Sequence, residues 1–489
     1  MADNNLKKKA TSSMVWTAIQ KYSVMAVNFV SGIILARLLT AFDYGCIGML
    51  AIFMVLAEAF IDGGFGSALI QKKHTTQEDY STIFFWNLGM AGFLYCVLFF
   101  SAPSISRFYD IPILCDVLRV QGLLLFIYAF NLVQRNQLRK SLNFKILSII
   151  SITTSIVSLI ITIFLAYNGF GVWALVAQNL TMAAVPALFF WFYVRWRPKL
   201  VFSWKSFKEL FGFGFYMFLT HLINSFSTQL QGLLIGKIYN PSTMGYYAKA
   251  HGTESMASHS ISSIMTQVTF PLYASVQDNK QAMINIIRRL IMTLSYISFP
   301  MMFILILLAE PIFILLYSER WVNSIPYFQA LCIAGLPSCL HSVNLQPIAA
   351  IGKSGIMFKW TIIKRVVGLG AVVGGLLLFG MKGLLVGVII NTWFAYFVHV
   401  GLVSKHIGYK WYSQLKDLMP VAVASMLAAI VSFIFGHFLG FGMYLKSAIM
   451  LIIYLVVYMG WSLIFKPEAY TYTISSIPSK FRFLGKKKK

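Results

Sequence analysis

Long apolar segments alternate with short polar segments along the whole chain. Fourteen of the apolar segments are long enough to cross a membrane, since a helix of about 20 residues spans the hydrocarbon layer. The short alternating segments of a membrane β-barrel are not part of this pattern. We therefore predict an all-α integral membrane protein with about fourteen transmembrane helices. The predicted spans are residues 15–39, 45–70, 81–102, 113–134, 146–167, 170–194, 210–236, 244–272, 286–316, 325–349, 360–380, 383–404, 417–439 and 445–465.

The composition excludes the soluble classes of protein. Of the 489 residues, 58% are hydrophobic and only 11% are charged, whereas soluble domains carry roughly 25% charged residues. The polar segments are short, so we expect no loop to fold as a soluble domain. The five cysteines form no CxxC pair, and we therefore expect neither a disulfide framework nor a metal site, and no cofactor.

The basic residues are distributed unevenly along the chain. Lys and Arg number 40, and Asp and Glu number 15. When the N-terminus is placed in the cytoplasm and the spans alternate, 31 of the 40 basic residues fall on the cytoplasmic side, Lys364 and Arg365 among them. Cytoplasmic loops of membrane proteins carry such an excess. The charges therefore predict an even number of spans with both termini in the cytoplasm, and they give no reason to expect a nucleic-acid partner.

The chain resembles itself at an offset of 200 residues. Residues 31–45 match residues 231–245 in their small, basic and turn positions, and Gly45 coincides with Gly245. A shift of six spans keeps the direction of each helix, so the repeats are parallel and are related by an axis along the membrane normal. We predict two six-helix lobes around a central cavity, followed by two extra helices. The predicted divisions are an N-terminal lobe 1–197, a cytoplasmic linker 198–208, a C-terminal lobe 209–405, transmembrane helices 13 and 14 within 406–466, and a basic cytoplasmic tail 467–489.

Six segments, in order along the chain, carry a resemblance to a known family. They are LARLLTAFDYG (35–45), FIDGGFGSALIQKK (60–73), QRNQLRKSLNFK (134–145), MGYYAKA (244–250), FPLYASVQDN (270–279) and LAEPIFILLYSERWVNSIPYFQ (308–329). These segments resemble the polysaccharide transporter family, the Wzx-type flippases of lipid-linked oligosaccharides, and in particular its colanic-acid-exporter branch. That family belongs to the multidrug/oligosaccharidyl-lipid/polysaccharide exporter superfamily.

The resemblance implies a flippase rather than an enzyme. Such a protein moves an oligosaccharide linked to undecaprenyl pyrophosphate from the inner to the outer leaflet of the bacterial cytoplasmic membrane by alternating access. The resemblance implies a role in the synthesis of lipopolysaccharide, O-antigen or exopolysaccharide. The implied protein is a monomer whose partners are this lipid-linked oligosaccharide, membrane lipids and the polysaccharide polymerase machinery.

Three other classes of function stay open from the sequence. The first alternative is a cation-coupled antiporter of drugs or metabolites with the same fold. The second is a membrane glycosyl polymerase or ligase, which needs longer outer loops than the predicted spans leave. The third is a membrane scaffold that transports nothing.

Charged residues within the predicted spans indicate the transport path, because a charge at the bilayer centre costs about 2.5–3.5 kcal/mol or more. We expect Lys21, Arg119 and Lys249 to line one cavity and to offer positive charge to a diphosphate. For Lys21 the alternative is an ion pair with Asp62. For Arg119 the alternative is a place at the outer interface beside Asp116.

The eighth predicted span carries a polar stripe. We expect this stripe to line the substrate cavity, because a lipid-facing helix does not carry so many polar groups. His221 of the seventh span, the repeat counterpart of Lys21, is expected beside it. The stripe consists of His251, Ser255, Ser258 and Ser262, with His259, Thr266 and Gln267 adding further polar groups.

Three acids within predicted spans are candidates for ion coupling, namely Glu58, Asp62 and Glu254. We expect Asp62 to be ionised and structural if Lys21 is close to it, and Glu254 to exchange a proton from its place among serine and histidine residues. The alternative driving force is the membrane potential alone, which acts on an anionic diphosphate without any acid.

Overall fold

The computed structural model describes residues 2–141 and 143–476. Within these residues the chain is helical and has no strand, which confirms the predicted fold class. Residues 477–489 of the predicted basic tail lie outside the described residues. The elements are α1 (Ala2–Leu38), α2 (Ala41–Asp62), α3 (Phe65–Gln71), α4 (Gln77–Tyr109), α5 (Ile113–Gln121), α6 (Leu124–Lys140), α7 (Phe144–Tyr167), α8 (Val172–Tyr193), α9 (Trp204–Ile238), α10 (Pro241–Ala274), α11 (Lys280–Leu307), α12 (Ala309–Tyr317), a 3-10 helix (Glu319–Ser324), α13 (Ile325–Ala350), α14 (Ser354–His406), α15 (Trp411–Phe438), α16 (Met443–Phe465) and α17 (Glu468–Ser476).

Ten helical segments of the described chain are long and apolar enough to cross a membrane, so the protein is a multi-pass membrane protein. One of them, Gly355–His406, contains both the eleventh and the twelfth predicted spans. Helices α9, α10 and α13 coincide with the three other predicted spans but carry more polar residues. The total of fourteen crossings stays a prediction for these three helices.

Gly380 divides α14 into two antiparallel halves. Its φ of 65° and ψ of −146° interrupt the helix in a conformation that glycine adopts most readily. A Cβ atom on Gly375 would overlap the carbonyl oxygen of Gly383, and a Cβ atom on Gly387 would overlap that of Ala371. The two halves therefore run back along each other in backbone contact, which agrees with the tight turn between the eleventh and twelfth predicted spans.

The second predicted span is interrupted where the sequence has its glycine run. Gly63 and Gly64 both have positive φ values, 50° and 76°, so α2 ends at Asp62 and α3 begins at Phe65. The fourth and ninth predicted spans are likewise divided, into α5 and α6 and into α11 and α12.

Two helix starts use the same reciprocal cap. At the start of α2 the Thr40 hydroxyl accepts a hydrogen bond from the Asp43 N–H, and the Asp43 carboxylate accepts the Thr40 N–H at 2.8 Å. Thr76 and Asp79 repeat this arrangement at the start of α4, with a distance of 2.9 Å. Such a cap satisfies backbone donors that the helix leaves unpaired and contributes about 1 kcal/mol. The two caps fix where α2 and α4 begin.

The chain forms two compact units, Met1–Ala248 and Lys249–Lys489. In the N-terminal unit α1 packs against α7, and α2 packs against α4, α6, α8 and α9. In the C-terminal unit α13 packs against α11 and α14, and α15 packs against α11 and α16. Helix α9 therefore packs with the helices that precede it, and the two predicted six-helix lobes stay a prediction.

The two copies of the repeat, offset by 200 residues, contact each other in the N-terminal unit. A Cβ atom on Gly45 would overlap the carbonyl oxygen of Pro241, and a Cβ atom on Gly245 would overlap that of Ala41. Ala41 and Pro241 are repeat counterparts, as are Gly45 and Gly245, so the contact is reciprocal. The first turns of α2 and α10 thus lie backbone against backbone, and only glycine permits this approach.

We expect Gly45→Val and Gly245→Val each to destabilise the protein, because a side chain at either position must push the two helix starts apart. Overpacking of this kind costs about 1–3 kcal/mol. The double variant should cost less than the sum of the two, since both side chains act on one contact. Thermal unfolding of the purified protein measures the effect. Gly89→Val on α4 is the control, because a Cβ atom there meets no atom within 4 Å, and equal melting temperatures for all three single variants would contradict the prediction.

Candidate functional site

Asp62 is the last residue of α2, and its carboxylate caps the helix that follows. It accepts hydrogen bonds from the backbone N–H groups of Gly64 and Gly66, which are among the donors that the start of α3 leaves unpaired. Gly64 lies against α9, where a Cβ atom would overlap the carbonyl oxygen of Gly214. The interruption between α2 and α3 is therefore held by α9, and it fixes the position of the Asp62 side chain.

Side chains from three helices surround Asp62 and form what we call the N-terminal polar cluster. Asp62 interacts electrostatically with His221 of α9 and with Arg135 of α6. Tyr128 of α6 interacts with Glu58 and Asp62 of α2 and with both arginines of α6. The cluster thus joins acidic groups on α2 to basic groups on α6 and α9. Its members are Glu58, Asp62, Tyr128, Arg135, Arg139 and His221.

Helical spacing explains how the cluster arises. Glu58 and Asp62 are one turn apart on α2, and Arg135 and Arg139 are one turn apart on α6, so each pair lies on one face of its helix. Tyr128 precedes Arg135 by seven residues and therefore shares that face. Helices α2 and α6 pack against each other, which brings the two faces together.

Lysines close to the cluster are engaged in structural contacts. The Lys72 ammonium donates hydrogen bonds to Glu209 at 3.0 Å and to Asp79 at 3.1 Å. Burial opposes the charge on Lys72, but these hydrogen bonds outweigh burial and raise its pKa. Lys140 donates to the backbone carbonyl of Leu69 at 3.1 Å. Both lysines therefore hold the segment between α3 and α4 in place.

Arg135, Arg139 and His221 are exposed, in contrast to those lysines. Two guanidinium groups one helical turn apart offer planar pairs of N–H donors, and this geometry suits phosphate oxygens. The neighbouring acids keep the local charge from being wholly positive. The arrangement can bind a multiply charged anion such as a diphosphate on an open face of the N-terminal unit.

Lys21 does not pair with Asp62, so that alternative is wrong. Within the described residues the Lys21 ammonium has no hydrogen-bond partner, and the cations acting on Asp62 are His221 and Arg135. The physical reason is the packing of α1, which lies against α7 rather than against the end of α2. Gln20, the neighbour of Lys21, donates to Ser151 of α7 at 2.8 Å.

Arg119 packs against α4. Its guanidinium carbon lies 4.4 Å from the centre of the Phe99 ring, and its Nε donates to the Phe99 carbonyl at 3.5 Å. This is a cation–π contact supported by a long hydrogen bond. The expected neighbour Asp116 is exposed, and the contacts described for Arg119 go to Phe99 instead.

Lys249 lies inside the C-terminal unit with 8% of its surface exposed. Its ammonium is 3.9 Å from the centre of the Tyr317 ring and 5.7 Å from that of Trp321. The Tyr317 hydroxyl in turn shares a hydrogen bond with Thr253 at 3.0 Å. The aromatic faces therefore stabilise the buried charge of Lys249.

The polar stripe of α10 is divided between an open side and a buried side. His251 is exposed, and the Ser255 hydroxyl donates to the Gly252 carbonyl at 3.0 Å. Glu254 is 7% exposed and accepts a hydrogen bond from Ser258. A Cβ atom on Gly335 of α13 would collide with the Glu254 carboxylate, so this acid packs against α13. The side chains of His259, Ser262, Thr266 and Gln267 lie outside the described residues.

The residues predicted to share one cavity have separate surroundings. Lys21 and Arg119 belong to different helices of the N-terminal unit and contact different neighbours, whereas Lys249 belongs to the C-terminal unit. Their common cavity stays a prediction. Arg135, Arg139 and Tyr128 are not predicted as site residues from the sequence, although the two arginines lie in the segment QRNQLRKSLNFK. The pair of arginines at helical spacing is a sequence signal for this site. The excess of cytoplasmic basic residues, however, already accounts for both arginines.

Several characterised bacterial proteins are similar to this chain along most of its length. It is 26% identical over 460 residues to the succinoglycan biosynthesis transport protein ExoT of Rhizobium meliloti, covering 91% of this chain and 90% of that protein. It is 25% identical over 443 residues to the lipopolysaccharide biosynthesis protein WzxC of Escherichia coli, covering 88% of each. It is 24% identical over 358 residues to the teichuronic acid biosynthesis protein TuaB of Bacillus subtilis, covering 73% of this chain and 74% of that protein.

Solved structures with the same fold are membrane transporters. The lipid II flippase MurJ in an inward closed conformation matches with a TM-score of 0.74 and 15% identity, covering 93% of this chain and 99% of that one. An inward-facing multidrug transporter of the MATE family matches with a TM-score of 0.63 and 17% identity, covering 81% of this chain and 98% of that one. At these identities the likeness establishes the fold.

The sequence profile of the family described as polysaccharide biosynthesis protein matches residues 34–326, more than half of the chain. The match covers most of the N-terminal unit and the first helices of the C-terminal unit, including the N-terminal polar cluster, Lys249 and Glu254. Together with the fold and the relatives, it confirms the resemblance seen in the six sequence segments. The chain belongs to the polysaccharide biosynthesis protein family.

Proposed function

We propose that this protein is a flippase that moves a lipid-linked oligosaccharide from the inner to the outer leaflet of the membrane by alternating access, for the synthesis of a surface polysaccharide. Three named relatives act in polysaccharide biosynthesis, one of them as a transport protein. The fold is shared with a lipid II flippase. The proposed substrate is an oligosaccharide linked to undecaprenyl pyrophosphate.

The exposed arginines of the N-terminal polar cluster are the observation that carries this proposal. The diphosphate is a strongly charged part of such a substrate, and two guanidinium groups in one helical turn match its oxygens. Arg135 and Arg139 lie in the last two turns of α6, which the predicted topology places at the cytoplasmic side. A substrate that enters from the inner leaflet therefore meets these arginines first, while the polyprenyl chain stays in lipid.

The sequence-predicted cations and acids complete the proposed path. Lys21, Arg119 and Lys249 offer further positive charge, with His221, His251 and Ser255 as polar neighbours of the oligosaccharide. Glu254, Glu58 and Asp62 are the acids available for ion coupling, and Glu254 is the one buried with a single hydroxyl partner. Asp62 is engaged as a helix cap, so we assign it a structural role.

The second candidate function is a cation-coupled antiporter of small molecules. The shared fold with a multidrug transporter supports it, but the family and the named relatives favour the flippase. The relatives are biosynthesis and transport proteins, and we propose that this chain likewise catalyses no reaction. It acts as a monomer beside the polymerase machinery.

We expect Arg135→Gln and Arg139→Gln each to weaken export of the polysaccharide, and the double variant to abolish it. A hydrogen bond to a charged group contributes about 1.5–3 kcal/mol, which corresponds to a loss of roughly tenfold to a hundredfold in affinity for the diphosphate. Translocation of lipid-linked oligosaccharide in proteoliposomes measures the effect.

Arg107→Gln is the matched control for these variants. Arg107 is an exposed arginine in the last turn of α4, at the opposite end of the N-terminal unit by the predicted topology, and its Nε donates to the Pro103 carbonyl. Its replacement should leave translocation unchanged. Equal losses in the control and in the cluster variants, at equal amounts of folded protein, would count against a diphosphate site at the cluster.

The combined variant Lys21→Ala, Arg119→Ala and Lys249→Ala should also abolish export, because the proposed path then loses three positive charges. Arg119→Lys should be poorly tolerated, since Lys keeps the charge but loses the planar contact with Phe99. Export in cells and membrane insertion are measured together. Full export by the triple variant would refute the role of these cations.

We place the protein in the bacterial cytoplasmic membrane with both termini in the cytoplasm. The distribution of basic residues supports this orientation. A reporter fused after Lys489 should give a cytoplasmic signal, and one inserted after Gly440, between α15 and α16, should give a periplasmic signal. A periplasmic signal from the fusion at Lys489 would overturn the orientation.

A further inference from the structure

A cluster of basic side chains lies inside the C-terminal unit, apart from Lys249 and Glu254. Lys364 Nζ and His399 Nε2, both on α14, are 2.6 Å apart. The rings of His399 and His341, the latter on α13, have centres 5.2 Å apart and are nearly perpendicular. His341 Nε2 lies 3.3 Å from the carbonyl oxygen of Thr392. Three titratable groups from both halves of α14 and from α13 therefore meet at one place.

The cluster lies well inside the helical bundle. At 1.5 Å of rise per residue, Lys364 is about 15 Å from the start of α14, and His399 is about 10 Å from its end. His341 is about 14 Å from the end of α13 by the same rule. The ends of α13 and α14 are on one side, because a short loop joins α13 to α14 and the turn at Gly380 brings α14 back. The charge count places Lys364 towards the cytoplasmic side, but His399 is buried among these helices, and an ionisable group buried in a membrane helix bundle indicates a functional site.

Two buried polar atoms beside the cluster lack partners among the described residues. His399 is 3% exposed and Tyr396 is 1% exposed. In that part of the chain neither His399 Nδ1 nor the Tyr396 hydroxyl has a hydrogen-bond partner, and a buried polar group without a partner is unfavourable. Tyr396 stacks on the ring of His341. The site therefore has hydrogen-bonding atoms that its own described side chains do not pair with.

The charges around the cluster are all basic. In the part of the chain that the structure describes, the charged group acting on His341 is Lys364, and the groups acting on His399 are Lys364 and His341. The charged group acting on Lys364 is its neighbour Arg365. Helix α13 thus contributes His341, and α15, the other helix packed against α14, contributes no charge that acts on these three residues. No described carboxylate fixes a proton on any of them.

The short distance between Lys364 and His399 limits the protons they can hold. Two nitrogen atoms 2.6 Å apart need a hydrogen between them, so one nitrogen donates and the other accepts. Both groups cannot be charged at this distance, because two buried like charges repel strongly. The pair therefore carries either one positive charge or none.

Given the proposed transport function, we propose that Lys364, His399 and His341 form a proton-binding site in the C-terminal unit, which takes up and releases one proton in each transport cycle. In the protonated state the Lys364 ammonium donates to His399 Nε2, whose own hydrogen is then on Nδ1. Release of the proton leaves a neutral amine and a neutral imidazole. Uptake restores the ammonium, and only N–H bonds are formed and broken.

Selective ¹⁵N labelling of histidine tests proton binding without any substrate. The chain has eight histidines, and His399→Gln and His341→Gln assign the two signals. In the wild-type protein the His399 signal should change between about pH 5 and pH 9, and Lys364→Met should change that titration. Signals of both residues that stay constant across this range, or that are unaffected by Lys364→Met, would overturn the proposal.

The pair Lys353 and His406 provides the matched control. Its nitrogen atoms are 2.9 Å apart, and it joins the residue before α14 to the last residue of α14, where Lys353 is exposed and His406 is half-buried. Lys353→Met should change the His406 signal and leave His399 unchanged. A change at His399 equal to that caused by Lys364→Met would show a general effect on the helix and would contradict the proposal.

Transport in proteoliposomes tests the coupling. Lys364→Arg keeps a charge that cannot be released, and His399→Gln removes the acceptor. Both variants should translocate lipid-linked oligosaccharide under an imposed voltage but lose the stimulation by a proton gradient, down to the rate without the gradient. His406→Gln should keep that stimulation. Persistence of the stimulation in Lys364→Arg and His399→Gln would overturn the coupling.

Failure of the proton site and failure of the flippase function are distinguishable. If the wild-type protein translocates no lipid-linked oligosaccharide under either driving force, the proposed function fails, and the histidine titration still decides whether the proton site exists. If translocation is driven by voltage and the wild-type rate is independent of the proton gradient, the function stands and the coupling is overturned.

Discussion

The lipid interior offers no hydrogen-bond partner, so each interruption of a membrane helix must be satisfied by the protein itself. This constraint explains the two main interruptions. At the end of α2 the backbone turns through Gly63 and Gly64, and the Asp62 carboxylate accepts the N–H groups of the next helix. At Gly380 the chain reverses, and glycine lets the two halves of α14 touch along their backbones. The first interruption also fixes Asp62 among the groups of the N-terminal polar cluster.

Because of the same constraint, the basic side chains differ in the groups that contact them. Lys72 and Lys140 are engaged by carboxylates and carbonyl groups, and Lys249 is stabilised by aromatic rings. Arg135 and Arg139 are exposed on one face of α6. These arginines therefore differ from the lysines in being accessible to a ligand, and we propose an anionic lipid as that ligand. Lys364 shares a hydrogen bond with an imidazole instead of a carboxylate, which suits it for proton exchange rather than for phosphate binding.

The fold was largely predictable from the sequence, because apolar segments of membrane length have few alternatives to a helix. The glycine run after Asp62 and the repeat around Gly45 and Gly245 were visible as well, since glycine marks close backbone approaches. The arrangement of side chains between helices was not predictable. Arg135 and Lys140 look alike in a charge count, and only the structure separates an exposed arginine from a lysine tied to a loop. The alternative Lys21–Asp62 ion pair is absent from the described residues because α1 packs against α7. The spacing of residues within one helix does not determine which other helix it packs against.

The central claim is that the protein moves a lipid-linked oligosaccharide between leaflets. The most direct measurement uses proteoliposomes that carry a polyprenyl-diphosphate-linked oligosaccharide in both leaflets, with a membrane-impermeant glycosidase added outside. The account predicts that substrate of the inner leaflet becomes accessible to the glycosidase when the protein is present, and that a polyprenyl monophosphate sugar, which offers the arginines only one phosphate, moves more slowly. Accessibility that equals that of protein-free vesicles, with the protein folded and inserted, would contradict the account.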